Sequence, residues 1–510
     1  MKEWFRLQQQ IFERVRQDVE DRIATRSPSL KKYEEEYFRD QENFRPASLR
    51  KLEQSVNRAD FVFIGDFHAL RQSQRFLLRL LKDPKLVKPQ KLAFEVVQPK
   101  EEKFVSEWLA HKTKKNEEIL RRNLKLEENW GSSFETYKEI FLAAEAQGVQ
   151  ILGIGSPHSK LEARDAFAAK HLSVLPEKTW ILIGAYHCAR THLPRLLRKS
   201  ASPSKITVLQ QDDDRLGLKL LKSSARKNRI FQAPTRNQID LFCIQHSPVW
   251  VKWQSMLSQL DPQETSAPIL DQMNWFLETL FHFFEDPRYP KPISLRELKD
   301  VQVVNLEEEE LEPHLKGLTV NERKSLLLQL EVSGVAALGD KQKVFLIEGG
   351  INSCAHAAAA HLLTKTWQRE FNSQSFYGMA LREALIFMLS KILNHSRRTK
   401  HWIDFQQNRS PSDTEARKIL RAENFFEHFN DRRRWLRQLR PYRSGAAQAL
   451  GRIIADCGFE AFLSGELSRE RMNRMLTHPP LSEAEEFLVL CELHSLGKAF
   501  QRRIPSVWSN

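Results

Sequence analysis

The sequence predicts an α/β protein with a mainly parallel central sheet flanked by helices, followed by an all-α C-terminal domain. Three observations predict it. Between about residues 55 and 250, short β-rich apolar runs alternate with helix-like stretches, the pattern of βαβ units. Those runs are continuously apolar, so their strands are expected to be buried on both faces, as in a parallel sheet. After about residue 265 the strand signal mostly disappears, and long segments of Leu, Phe, Glu, Arg and Ala take over.

The elements follow in chain order. Residues 1–50 read as an N-terminal helical segment, because Trp4, Ile11, Val15, Val19 and Ile23 mostly recur at four-residue steps with charged residues between them. Residues 51–262 form the α/β domain. Its strands are predicted over 61–64, 92–94, 149–154, 180–183, 206–209 and 239–244, with a Leu/Arg-rich helix over 71–81 that ends before Asp83-Pro84. Residues 263–510 read as a helical domain, one bundle or two. Helices are predicted over 273–284, 321–330, 376–393, 415–439, 444–463 and 483–496, with proline breaks at 286–290 and at His478-Pro479-Pro480.

Composition sets the limits. Hydrophobic residues make up 41% and aromatics 10% of the 510 residues, enough for a sizeable core and against global disorder. No uncharged apolar run approaches the ~18 to 20 residues of a membrane helix. Charges at Lys2 and Glu3 stand where a signal peptide needs an apolar centre, so a soluble, cytoplasmic chain is expected. Cys188, Cys243, Cys354, Cys457 and Cys491 are far apart and form no C-x-x-C pair, which argues against a disulfide framework and a cysteine zinc site. The net charge is +14, and half of that excess lies between Arg397 and Arg443. This basic segment is read either as a solvated helical face or as the docking site of a polyanion or protein partner.

Three predicted strand ends carry one small signature. Gly65-Asp66-Phe67-His68, Gly155-Ser156-Pro157-His158 and Gly184-Ala185-Tyr186-His187 each follow an apolar run. Chance placement of the chain's glycines and histidines predicts about 0.6 such G-x-x-H matches. In an open parallel sheet ligands bind in the crevice beyond the carboxyl ends of the strands. Glycine permits a sharp turn there, and the following imidazole projects into the crevice, where it ligates a metal or moves a proton. Asp66 and His68, two residues apart, point to one side of an extended backbone. Glu95 ends its own predicted strand in the same way, where burial and neighbours tune a carboxylate. His158 reads equally well as part of a turn. Tyr137 and Tyr186 read as packing residues with a polar tip, and Cys188 as a small buried hydrophobe.

These residues resemble the ChaN-like haem-binding uptake family of the Tiki superfamily, over roughly residues 55–260. The ordered pieces are Phe63-Ile64-Gly65-Asp66-Phe67-His68 leading into Gln72-Ser73-Gln74-Arg75, then Phe94-Glu95-Val96-Val97, then Asn129-Trp130-Gly131 with Tyr137. Further along come Leu161-Glu162-Ala163-Arg164-Asp165-Ala166-Phe167-Ala168-Ala169, and Gly184-Ala185-Tyr186-His187 running into Thr191-His192-Leu193-Pro194. The resemblance implies that His68, His187 and Glu95 form the polar centre, with Asp66 where many relatives have Glu and Arg164 facing that centre. Ala69 stands where many relatives have Asp. Nothing after about residue 265 shares the resemblance.

Two functions of different class follow. In the first, the crevice binds haem, with an axial ligand from His68, His187, Tyr186 or His158, or binds a divalent metal. In the second, the protein is a hydrolase of amide or ester bonds acting on a small molecule or peptide. His68, Glu95, His187 and Asp66 would hold Mn, Co or Zn, and the ion would activate water. In a metal-free version, His68 would act as base, with Asp66 or Glu95 orienting it and Arg164 stabilising an oxyanion. Oligomeric state is not specified by any of these features.

Overall fold

The computed structural model describes residues 2–23, 27–41, 43–132, 134–200, 204–221, 229–260, 267–284, 295–306, 309–338, 342–347, 351–367, 375–395, 397 and 443–497. The chain forms two compact units, one built from Gln9–Pro262 and the other from Met1–Gln8 with Gln263–Pro505. The helix Lys2–Arg22 predicted from the four-residue spacing is present, and its first residues group with the second unit.

The first unit is built on an eight-stranded sheet. Its strands are β1 (Arg45–Pro46), β2 (Phe61–Asp66), β3 (Lys91–Phe94), β4 (Gln150–Gly153), β5 (Thr179–Gly184), β6 (Ile206–Gln211), β7 (Ile230–Arg236) and β8 (Ile239–Ile244). They lie in the order β1-β7-β8-β6-β2-β5-β3-β4. Strands β8 to β4 along that order all run parallel, whereas β7 pairs antiparallel with β8 and with β1.

Both faces of the parallel strands are covered, which is why their sequences are continuously apolar. Along β2 the side chains alternate between two cores. Val62 and Ile64 pack with Phe94, Trp180, Leu182 and the helix Arg71–Lys82, while Phe61 and Phe63 pack with Ile181, Ile183 and the helices Leu161–Leu172 and Leu193–Ser200. Each of these side chains contributes about 1.5–3 kcal/mol when fully buried. The two antiparallel strands were not anticipated. β1 is only two residues long, and β7 carries Gln232, Pro234 and Thr235, a composition that reads as loop.

The second unit is mostly helical, with helices at Ala267–Phe284, Val320–Ser333, Ile351–Trp367, Phe376–Leu393, Arg443–Ser464 and Glu483–Gly497. Phe376–Leu393 is buried along its whole length. Its C-terminal carbonyls at Ile392 and Leu393 accept hydrogen bonds from the Trp4 indole and the Gln8 amide, which satisfies groups a helix end leaves open. The all-helical expectation needs one correction. A three-stranded sheet is present, with β9 (Gln302–Asn305), β10 (Val335–Leu338) and β11 (Lys343–Leu346) in the order β10-β11-β9. These four-residue strands hold only two to four apolar residues each and lie between strong helix formers, so no alternation betrayed them. The helix predicted over 415–439, the break at 286–290 and nearly all of the basic segment 397–443 lie outside the described residues. No described helix is long and apolar enough to cross a membrane.

Candidate functional site

Adjacent parallel strands deliver three functional positions to one edge of the sheet. Asp66 ends β2 and is in register with Gly184 at the end of β5. Glu95 follows β3, its backbone N–H still donating to Leu182 O of β5 at 3.1 Å. The C-terminal ends of β2, β5 and β3 therefore stand side by side, where an open sheet places its ligands.

The first imidazole is paired at once. The chain turns after Asp66, and His68 Nδ1 meets Asp66 Oδ2 at 2.9 Å. The helix Arg71–Lys82 that follows brings two more donors. Ser73 Oγ donates to Asp66 Oδ1, and Gln74 Nε2 donates to the same oxygen at 2.7 Å. The Tyr137 hydroxyl donates to Asp66 Oδ2 at 3.2 Å. Four donors thus converge on a carboxylate that is only 3% exposed, so it is a fixed acceptor, held near the start of a helix. Gly131, with φ 61°, ends a short helix and turns the chain so that Trp130 stands edge-on to His68 at 4.9 Å and Ser132 Oγ donates to His68 O.

The second imidazole is paired in the same way by a residue whose importance the sequence did not reveal. His187 Nδ1 meets Asp165 Oδ1 at 2.5 Å, and the Tyr33 hydroxyl donates to Asp165 Oδ2 at 2.9 Å. Asp165 lies within the 161–169 resemblance, one residue after Arg164. Its helical neighbours gave no reason to pick it over the chain's other buried acids.

Glu95 sits between the two pairs. Its Oε1 lies 3.3 Å from His187 Nε2 and 3.6 Å from Arg164 Nη1, and its Oε2 lies 3.8 Å from His68 Nε2. The Gly184 N–H donates to Oε2 at 2.6 Å. Burial alone would raise the carboxyl, but the His187 charge and hydrogen bond, the His68 charge and the Gly184 N–H outweigh it and hold Glu95 at about 2. Burial alone would lower His187, but Glu95 and Asp165 outweigh it and lift the imidazole to about 10. For His68, burial lowers, whereas the Asp66 hydrogen bond and charge and the Glu95 charge raise more, so it stands above its ordinary value. At neutral pH the centre therefore holds an ionised glutamate against an imidazolium at His187.

The structure brings together His68, Glu95, His187 and Asp66, which follow or end strands, and Arg164 from the helix Leu161–Leu172, which the resemblance placed facing them. Arg164 is fixed by its Nε, which donates to His158 O at 2.9 Å, and its guanidinium lies over the Trp130 ring. His158 itself is exposed; it contributes a backbone carbonyl to the centre, its ring resting edge-on to Phe167. Tyr186 lines the cavity and donates its hydroxyl to Glu34. Burial pushes the Cys188 thiol well up, so no thiolate nucleophile stands beside His187. Ser73, Gln74, Asp165 and Tyr33 are the functional partners that residue type and spacing did not single out.

A cavity of about 440 Å³ opens over this centre, within the range of small-molecule sites. Among its polar groups, His68 and Arg164 have a quarter and a third of their side chains accessible. Most other walls are apolar, among them Phe67, Leu70, Trp130, Leu161, Trp253 and Met256. Gly184 forms part of the floor. A Cβ built there would stand 3.2 Å from Glu95 Oε2, 3.3 Å from His68 Nε2 and 3.5 Å from His187 Cδ2. A Gly184→Ala variant is expected to fold with a Tm within a few degrees of the parent but to lose ligand binding or turnover at least tenfold. A fully active variant would show that the centre tolerates displacement.

Among the described residues, no set of three or more His, Cys, Asp or Glu side chains is arranged to hold a metal ion. Both ring Nδ1 atoms face aspartates, and both Nε2 atoms face the same glutamate. The donors are thus committed to protons and to each other.

No curated protein and no solved structure matches the chain. The family match covers no residue of the helical unit beyond Gln263. The resemblance carried by the strand-end motifs is the one a family model finds independently: residues 52–192 match the family described as haem-binding uptake, Tiki superfamily, ChaN.

Proposed function

We propose that the cavity is the active site of a metal-free hydrolase acting on an ester or amide bond. The observation that carries this reading is the pair of Asp–His couples turned toward one ionised glutamate beneath an apolar cavity. His68 is the proton-moving group. Asp66 accepts its Nδ1–H, which leaves Nε2 as the basic atom on the cavity side. In the forward step a water oxygen bonds to the substrate carbonyl carbon, and the water proton passes to His68 Nε2. The carbonyl π electrons move onto oxygen, where the Arg164 guanidinium stabilises the charge. The carbonyl then re-forms, the bond to the leaving group breaks, and His68 returns its proton to that group. Glu95 keeps His187 protonated and ties the two imidazoles to one position.

This assignment fixes the pH dependence. His68 must be deprotonated and His187 protonated, so kcat/KM is expected to rise with pH through a value above 6.5 and to fall as pH passes about 10. A p-nitrophenyl ester assay across pH 5–11 checks it. A flat profile, or activity equal in a His68→Ala variant, contradicts the proposal.

A second reading is favoured by the family match and the aromatic walls: the cavity takes a haem. His68, partly exposed and with Nε2 on the cavity side, is the residue that would reach the iron, and the walls at Phe67, Trp130 and Trp253 suit a flat apolar ring. When bound, the haem would supply ligand exchange or redox chemistry at its iron. A bare divalent ion fits these donors poorly, since it would have to displace the protons shared around Glu95, and no step is routed through one. Hemin titration separates the readings. A Soret shift abolished by His68→Ala supports haem binding, and an unchanged spectrum with ester hydrolysis supports the hydrolase.

A further inference from the structure

The helix Pro28–Asp40 lies outside the residues that match the family, yet its inner face is fastened to the catalytic edge of the sheet. Ser29, Tyr33, Glu36 and Asp40 recur at steps of four, three and four, one stripe of a helix. Ser29 Oγ donates to Glu162 Oε2 at 3.0 Å, Glu36 Oε2 lies 2.7 Å from His192 Nε2, and Asp40 Oδ1 accepts from Arg190 Nε at 2.9 Å. Tyr33 contributes twice. Its hydroxyl donates to Asp165, the aspartate that holds His187, and its ring stacks on His192 at 3.9 Å. The same helix lines the cavity with Leu30, Tyr37 and Phe38. Its Glu34 carboxylate accepts from the Tyr186 hydroxyl. An alkyl or aryl group set against Leu30 and Phe38 is buried without loss of a hydrogen bond.

We infer that this helix is a working wall of the catalytic cavity: Tyr33 is a positioning residue for His187, and Leu30 and Phe38 select a substrate whose acyl group is apolar. The inference rests on the hydrolytic reading above and adds the substrate class to it.

The test uses the full chain, p-nitrophenyl esters from acetate to decanoate, and calorimetric binding of the decanoate ion. The inference expects kcat/KM to rise about fourfold per added methylene until the cavity is filled. Phe38→Trp and Leu30→Trp should shorten the preferred chain, and Phe38→Ala should lengthen it. Tyr33→Phe keeps the ring on His192 and removes only the hydroxyl, so kcat should fall about tenfold with KM within about twofold. Hydrolysis with the same chain-length preference in all wall variants overturns the inference and leaves the hydrolase reading standing. Decanoate binding that Phe38→Trp abolishes, with no ester hydrolysed, retains the wall and removes the hydrolase. A Tyr33→Phe variant that changes KM alone overturns the positioning role.

Discussion

An Asp66→Asn variant is expected to lose about 10³–10⁴-fold in kcat with little change in KM. The carboxylate accepts from Ser73, Gln74, Tyr137 and His68, and it offers no proton of its own. In the amide, Ser73 and Gln74 both demand an acceptor at the position of Oδ1 and so hold the carbonyl oxygen there. The NH₂ group must then face His68 Nδ1, which forces the ring proton onto Nε2. The imidazole is left in place but presents a donor where the reaction needs a base. Circular dichroism and substrate KM should stay close to the parent while turnover collapses. A variant that retains turnover would show that His68 is not oriented through Asp66, and the acid–base assignment would fall with it.

Glu95→Gln is expected to act on stability and on turnover together. It removes the acceptor facing a buried imidazolium, and an ion pair broken on one side costs about 3–5 kcal/mol near neutral pH. The pH dependence follows from the two shifts. His187 is raised to about 10, so its contribution is fully present below 6.5 and is lost as pH climbs toward 10. Glu95 is held at about 2, so its contribution is present above 4.5 and is lost as pH falls toward 2. The parent α/β unit should therefore be most stable between these limits and should soften between pH 6.5 and 10. In Glu95→Gln that alkaline decline should shrink and begin at lower pH, because His187 then holds its proton through Asp165 alone. Calorimetry across that interval checks it, and parallel curves for the two proteins would contradict the coupling. Turnover should drop by at least 10², since Glu95 no longer holds His68, His187 and Arg164 in one charged arrangement.

The parallel core of the sheet was legible because its inner strands, such as β2, β5 and β6, are buried on both faces and carry apolar runs. Strand β7 was not, since beyond Phe231 and Gln232 its outer side has no strand partner among the described residues, and there it carries Pro234 and Thr235 instead of an apolar run. The centre was legible at His68, Glu95 and His187 for a related reason: glycine and a polar residue right after an apolar strand mark the crevice edge. Asp165 and Tyr33 were not, because both sit inside helices, where an acid or a tyrosine on the inner face looks like any other. Only the fold shows that those faces look onto His187. The small sheet of the second unit escaped for want of length, its strands being four residues each.

The account stands on the protonation of one buried ring. Nitrogen-15 spectra of the histidine side chains, with the His187 signals assigned by comparison with His187→Gln, report it directly. Both ring nitrogens of His187 should carry protons at pH 8 and lose one only as pH approaches about 10. In Glu95→Gln the same transition should move to lower pH, with Asp165 alone still supporting the proton. A His187 ring that is already neutral at pH 8 in the parent protein would mean that Glu95 does not hold the two imidazoles as one charged centre.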